Sequence, residues 1–151
     1  SNIRQEGDSI GGIVQCTITG LPVGIGEPIF DKLQSHLAFA MMSINGCKGF
    51  EYGSGFEGVE LKGSEMYLSD NHTLISGGIA GGISDGTPVV FRCVFKPTAS
   101  NRKTLETAFQ DSKVSEFQSF KAGRHDACIA VRAVAVVEAM AALVLQDIFS
   151  V

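Results

Sequence analysis

The order of apolar and polar residues predicts strands and helices in succession along the chain. Side chains of residues 12–19 alternate between apolar and polar, which is typical of a strand with one buried face. Apolar side chains then recur at steps of three and four residues, which predicts an amphipathic helix of about 16 residues. The helix is expected to begin near Pro28 and to end at Asn45-Gly46. Its apolar side chains are Ile29, Phe30, Leu33, Leu37, Met41 and Ile44.

Two further segments, 49–59 and 87–95, are predicted to be strands, and the second is rich in β-branched residues. The glycine-rich segment 63–86 between them is predicted to be a long loop, which in a compact domain is usually functional or mobile. Residues 98–122 are polar and are expected at the surface, with a short helix over 103–109.

The last helix, predicted over 132–149, is apolar on nearly every face. A helix of this kind is expected to be surrounded by other structure on all sides. Three or more strands and two helices therefore predict a helical layer covered by sheet. These strands are too few, however, to cover both helices on both sides.

Composition narrows the class of protein. The chain has 151 residues, of which 44% are hydrophobic and 19% charged, as expected for one globular domain with a sizeable core. The net charge of −4 and the scattered basic residues exclude the electrostatic pattern of a nucleic-acid-binding protein. The longest apolar run is interrupted by Glu138 and is too short to span a membrane.

Cysteine spacing and the first residues bear on the cellular compartment. The four cysteines are far apart and form no CxxC pair, so no metal site is predicted. Free thiols are typical of a reducing compartment, and the polar first residues show no signal-peptide pattern, so a cytoplasmic location is expected. Ser1-Asn2 is also compatible with a cloning remnant. The cysteines are Cys16, Cys47, Cys93 and Cys128.

Glycine-containing motifs give two hypotheses about ligands. Residues 53–58 match GxGxxG, but the dinucleotide fingerprint needs a helix that opens there, and residues 59–63 have no helical length. A dehydrogenase is therefore not expected. The doublets Gly77-Gly78 and Gly81-Gly82 favour a tight hairpin, and the alternative is a close approach of backbone to a flat ligand.

Two polar segments are candidates for chemistry. Residues 96–100 place one lysine and two hydroxyls after a strand, which suits either a phosphate site or a plain surface loop. In Arg124-His125-Asp126, the guanidinium could hold an anion bidentately, the imidazole could titrate near neutral pH, and the carboxylate could accept a proton. The alternative is that Asp126 caps the following helix and pairs with Arg124 or Arg132.

Together these segments resemble the chorismate synthase family. The resemblance rests on motifs that occur in the family's order and cover most of the chain. They are GDSIGG (7–12), LPVGIGEPIFDKL (21–33), AMMSINGCKGFEYGSGF (40–56), GGIAGGISDGTPVVFRCVFKPTAS (77–100) and GRHDACIAVRAVAVVEAMAALVL (123–145).

The resemblance implies an α+β fold in which helices lie between antiparallel sheets, in a homotetrameric enzyme. Family members are about twice this length or more, so residues 1–151 are expected to form the C-terminal part of a single domain. The N-terminal half, with its histidine motifs and several substrate-binding arginines, has no counterpart here. The chain alone is therefore predicted to be inactive, and the alternative is a non-catalytic folded module that self-associates.

The activity implied by the resemblance is a 1,4-anti elimination of phosphate from 5-enolpyruvylshikimate 3-phosphate, which gives chorismate. The reaction requires reduced FMN without net redox change. No nucleic acid, membrane or metal takes part. By resemblance, Asp126 moves a proton and nine residues contact the flavin, while His72 and His125 receive no role. The nine are Asn45, Gly46, Gly81, Lys96, Pro97, Thr98, Ala99, Ser100 and Arg124.

Overall fold

A computed structural model describes residues 2–68, 75–99 and 126–150, which form a three-stranded antiparallel sheet with two helices packed on one face. The predicted α+β class is confirmed. The strands are β1 (Gly12–Ile18), β2 (Cys47–Tyr52), β3 (Ile79–Ala80), β4 (Ile83–Ser84) and β5 (Val89–Phe95). The helices are α1 (Asn2–Gln5), α2 (Leu33–Met42), α3 (Gly63–Leu68) and α4 (Ala130–Phe149), and a 3-10 helix spans Gly55–Glu60. The helix expected over 103–109 lies outside the described residues.

The central strand of the sheet is β5, which lies between β1 and β2 and runs antiparallel to both. Phe95 is opposite Gly12 on one side and opposite Cys47 on the other. The register of β2 shifts between Cys47 and Gly49, so Lys48 is an extra residue that forms a bulge. Both pairings of this sheet are antiparallel, whereas the dinucleotide fingerprint belongs to a parallel βαβ unit.

The core lies between the sheet and the helices α2 and α4. Alternate residues from Val89 to Phe95 are buried, whereas Val94 between them is 41% exposed. Phe91 is fully buried, and its ring centroid lies 5.4 Å from that of Phe50. Burying an aromatic side chain of this size contributes roughly 1.5–3 kcal/mol. The helices add Leu33, Leu37, Met41, Ala133, Val137 and Ala141 to this core.

The amphipathic helix begins later than predicted. α2 starts at Leu33 rather than at Pro28, and Ile29 and Phe30 are 71% and 86% exposed. The reason is a contact between distant parts of the chain. The N–H of Leu33, which has no partner within the helix, donates to the carbonyl of Gly82 at 2.9 Å. The helix ends before Gly46, as predicted.

The strand predicted over 49–59 is shorter than expected. β2 ends at Tyr52, because Gly53 and Gly55 have φ angles of 57° and 52°, which lie in the left-handed region and end the extended conformation. The 3-10 helix Gly55–Glu60 follows, and the short α3 comes next.

The helix α4 confirms the last predicted element but not its predicted surroundings. Its described residues bury one face, made of Ala130, Ala133, Val137 and Ala141. Large apolar side chains elsewhere on the helix are exposed. In the described residues, only one face of the helical layer has a sheet packed against it, so α4 is not surrounded. The exposed side chains are Val131, Val134, Val136, Leu143 and Phe149.

The four cysteines are free thiols in this structure. Burial raises the pKa of the Cys93 thiol to about 12, with the neighbouring Cys47 as the second cause. Such a thiol stays protonated near neutral pH and is a poor nucleophile. Of the helices in the described residues, none combines the length and the apolar character needed to cross a membrane.

Candidate functional site

Two of the predicted flavin contacts meet after the end of α2. The backbone N–H of Lys96 donates to the carbonyl of Gly46 at 3.0 Å. Gly46 has a φ of 87°, and a Cβ at this position would come within 3.0 Å of Cδ1 of Ile129. Position 46 therefore requires glycine for both its conformation and its contacts. Asn45-Gly46 and Lys96, far apart in sequence, lie side by side.

Thr98 joins the same loop to the segment that carries Asp126. Its hydroxyl donates to the backbone carbonyl of Asp126 at 3.3 Å. Residues 96–99 and 126–129 thus form one continuous surface with Gly46. A hydroxyl has a single hydrogen and can donate only one hydrogen bond. A phosphate bound here would therefore compete with the Asp126 carbonyl as the acceptor for the Thr98 hydroxyl.

Sequence reasoning missed the contribution of residues 8–12. The hydroxyl of Ser9 donates to the carbonyl of Thr98 at 2.7 Å, and the N–H of Ile10 donates to the carbonyl of Ala127 at 2.8 Å. A Cβ on Gly11 would come within 2.5 Å of the Phe95 carbonyl oxygen. The pair Gly11-Gly12 at the start of a strand was the available signal for such a close approach.

The carboxylate of Asp126 lies beside a cation. Its Oδ2 accepts from Nε of Arg132 at 2.9 Å, and the two side chains are 30% and 62% exposed. The pairing with Arg132 is the alternative that the sequence left open. Helix capping by Asp126 is not observed, because the N-cap residue of α4 is Ile129.

Gly81 lies at the other end of α2. The turn between β3 and β4 contains Gly81-Gly82, with φ angles of 63° and 103°, so the predicted hairpin is observed. Since the carbonyl of Gly82 accepts from Leu33, the hairpin sits at the start of α2. The ten residues of α2 separate it from Gly46 by about 15 Å. The structure therefore does not bring Gly81 into contact with Lys96.

A cavity of about 720 Å³ lies beside the hairpin, within the range of small-molecule sites. Its walls come from α2, the end of β2, the 3-10 helix and residues 75–81. The Oε1 atom of Gln34, one of the lining residues, is buried and has no hydrogen-bond partner in the described part of the chain. A buried acceptor without a partner costs free energy, so a ligand that donates to it would be favoured.

The remaining candidate residues pack against protein side chains or lie outside the described residues. In the GxGxxG motif, a Cβ on Gly55 would collide with the carboxylate of Glu51, which accepts from the N–H of Phe56 at 3.1 Å and pairs with Arg92 at 2.9 Å. This glycine thus makes room for a protein side chain. Among residues 2–68, 75–99 and 126–150, no cluster of metal ligands is present. Ser100, Arg124, His125 and His72 lie outside these ranges.

The family model and the relatives that match this chain all carry the same description, chorismate synthase. The family model described as chorismate synthase matches residues 1–149. The chorismate synthase of Christiangramia forsetii is 50% identical over 152 residues, and that of Flavobacterium psychrophilum is 48% identical over 152 residues. Each match covers 97% of this chain and 42% of the relative. The chain therefore spans about 42% of the length of these curated relatives.

A solved structure shows the same architecture. A chain described as a crystal structure of chorismate synthase superposes with a TM-score of 0.70 at 28% sequence identity. The match covers 97% of this chain and 39% of the solved chain.

Proposed function

Because this chain belongs to the chorismate synthase family, we propose that it forms the flavin-binding part of an enzyme that converts 5-enolpyruvylshikimate 3-phosphate to chorismate. The observation that carries this proposal is the convergence of Gly46, Lys96, Thr98 and Asp126 on one surface. These positions come from three separate motifs, and each has a role in the family that the chain resembles.

The described residues fit a phosphate-bearing flavin. The Lys96 side chain is exposed, and within the described part of the chain it has no carboxylate partner. Its ammonium group is thus available for an anion, since charge-assisted hydrogen bonds to phosphate are among the strongest in proteins. Gly46 keeps the end of α2 next to this lysine, because its carbonyl accepts from the Lys96 N–H. Gln34, with its unpartnered Oε1, lines a cavity with apolar walls in which a planar ring could lie.

The residues on this surface have distinct roles in the proposed reaction. The surface around Lys96 would hold reduced FMN, which when bound would supply the transient electron donation that weakens the allylic C–O bond of the substrate. Lys96 binds the flavin phosphate, and Thr98 keeps the Asp126 segment next to this loop. Asp126 would move a proton with its carboxylate, which Arg132 holds in place through Oδ2. We expect the whole enzyme to be a cytoplasmic homotetramer whose small-molecule substrate meets further residues outside this chain.

Replacing Lys96 with alanine tests the flavin site. We expect K96A to raise the Kd for FMN about tenfold, because one charge-assisted contact to phosphate is lost. The measurement is quenching of FMN fluorescence on titration with the 151-residue chain. The matched control is K62A, since Lys62 is an exposed lysine directly before α3 and is not part of the loop 96–99. An equal loss of affinity in both variants, or no quenching by the unchanged chain, would contradict the proposal.

A second candidate function is self-association, and exposed apolar residues of α4 favour it. Val131 is 75% exposed and Leu143 is 63% exposed. Adjacent copies of the chain could bury these side chains against each other, since large exposed apolar patches mark interaction surfaces.

A lysine substitution on α4 tests self-association. If copies associate through α4, V131K should shift the dimerisation midpoint to at least about tenfold higher concentration, because a charge in an apolar interface is costly. Sedimentation velocity over a range of concentrations measures this shift. V59K is the control, because Val59 is 86% exposed on the 3-10 helix. A monomer at all concentrations would exclude this candidate.

A further inference from the structure

We propose that Ser9 is a positioning residue that holds the loop 96–99 in the conformation that binds the flavin phosphate, an inference that rests on the proposed function. Ser9 lies before β1 and is 89 residues from Thr98 in sequence. None of the roles carried over from the family includes residues 8–12.

Ser9 makes a short hydrogen bond to the loop 96–99. Its hydroxyl donates to the Thr98 carbonyl at 2.7 Å, the optimum for an O–H···O hydrogen bond. The bond is partly buried, so water competes with it less than at an open surface. Thr98 in turn donates to the Asp126 carbonyl at the longer distance of 3.3 Å. Ser9 therefore holds the residue that links the two site segments.

The two residues that follow Ser9 also contact the segments of the site. Ile10 donates its N–H to the carbonyl of Ala127, so adjacent residues hold both loops of the site. Gly11 comes so close to the β5 end that an added Cβ would lie 2.5 Å from the Phe95 oxygen and 3.3 Å from Cδ of Pro97. The backbone of this segment is thus fixed against loop 96–99, and the Ser9 hydroxyl is placed by it.

The Ser9 contact affects ligand binding because it keeps the loop 96–99 ordered before the ligand arrives. Lys96 is anchored by its own N–H to Gly46, and Thr98 is anchored by Ser9, so both ends of the short segment 96–98 are fixed. Without the Ser9 hydroxyl, the Thr98 carbonyl would lose this donor, and the segment would be held less firmly than with both the Ser9 and the Asp126 contacts of Thr98 in place. Ordering the loop on ligand binding would then cost affinity, although Ser9 itself touches no ligand.

Substitution of Ser9 tests this inference in the 151-residue chain. We expect S9A to raise the Kd for FMN roughly twofold to tenfold, the usual range for one neutral hydrogen bond. S9T, which keeps the hydroxyl, should restore binding to within about twofold. S150A is the matched control, because the Ser150 hydroxyl makes a contact of the same kind and length, 2.7 Å to the Gln146 carbonyl, at the far end of α4. The second readout is hydrogen exchange of the Lys96 and Ile10 amides, which should speed up in S9A alone.

The two readouts separate failure of this inference from failure of the proposed function. If the unchanged chain binds FMN and S9A binds as well as S150A does, the positioning role is wrong and the flavin site stands. If the unchanged chain does not bind FMN, the flavin proposal is wrong. Hydrogen exchange then decides the positioning role, and equal amide exchange in S9A and S150A overturns it.

Discussion

The 151-residue chain alone is expected to form no detectable chorismate from 5-enolpyruvylshikimate 3-phosphate and reduced FMN. Apolar side chains of α4, beginning with Val131 five residues after Asp126, are exposed and have no cover among the described residues. The chain also spans only about 42% of the length of its curated relatives. The resemblance to this family implies that histidine motifs and several substrate-binding arginines lie in the part that the chain does not match. Losing catalytic acids, bases and anion-binding groups together costs many orders of magnitude in rate. Chromatographic detection of chorismate under anaerobic conditions measures this.

The control for this prediction is the full-length Christiangramia forsetii enzyme under the same conditions, which should produce chorismate if the assay works. A complementation test adds the portion of that enzyme that this chain does not match. Recovery of turnover only in the mixture would support a shared active site. Chorismate formed by the chain alone would overturn the expectation, because all necessary groups would then lie within 151 residues.

Replacing Gly77 with alanine is expected to lower the free energy of unfolding by about 2–5 kcal/mol. Gly77 has a φ of 65°, and the left-handed region costs an L-residue about 1–2 kcal/mol. The added Cβ would also collide with the backbone N–H of Gly53 and come within 2.7 Å of its Cα. Both neighbours are backbone atoms of a packed region, so they cannot yield without moving β2, which adds roughly 1–3 kcal/mol. Urea unfolding followed by circular dichroism measures the change.

A substitution at a second glycine separates the cost of the positive φ angle from the cost of the collision with Gly53. Gly20 has a φ of 77°, but a Cβ there would meet no atom within 4 Å. G20A should therefore show only the conformational cost of about 1–2 kcal/mol. If G77A were no more destabilising than G20A, the close packing against Gly53 would not contribute, and the doublet Gly77-Gly78 would be open to the alternative of contact with a flat ligand.

Elements with a strong local pattern were predictable. The alternation in 12–19 gave β1, and the apolar run gave α4 to within two residues at its start. The start of α2 was not predictable, because it depends on the carbonyl of Gly82, which no pattern near Leu33 reveals. The solvent exposure of α4 was also missed, since an apolar sequence indicates what a helix needs to bury and not whether a cover is present.

Some parts of the candidate site were also predictable from the sequence, and others were not. Family resemblance named Gly46, Lys96 and Asp126, and the structure places them on one surface. Chemistry alone favoured a plain surface loop for Lys96 over a phosphate site. The link from Ser9 to Thr98 was not visible in the sequence, because a hydroxyl that bonds to a carbonyl 89 residues away leaves no spacing signal. Only the glycines beside Ser9 hinted at close packing.

The central position of β5 has a consequence for how this chain folds during synthesis. Among the described strands, β1 and β2 each pair only with β5, which is the last of the three to leave the ribosome. Neither earlier strand has its partner until Phe95 has emerged, so the sheet forms by closing long stretches of chain. Proteins whose contacts join residues far apart in sequence fold slowly. Until then the unpaired edges of β1 and β2 are exposed to other chains, and exposed strand edges of this kind favour aggregation.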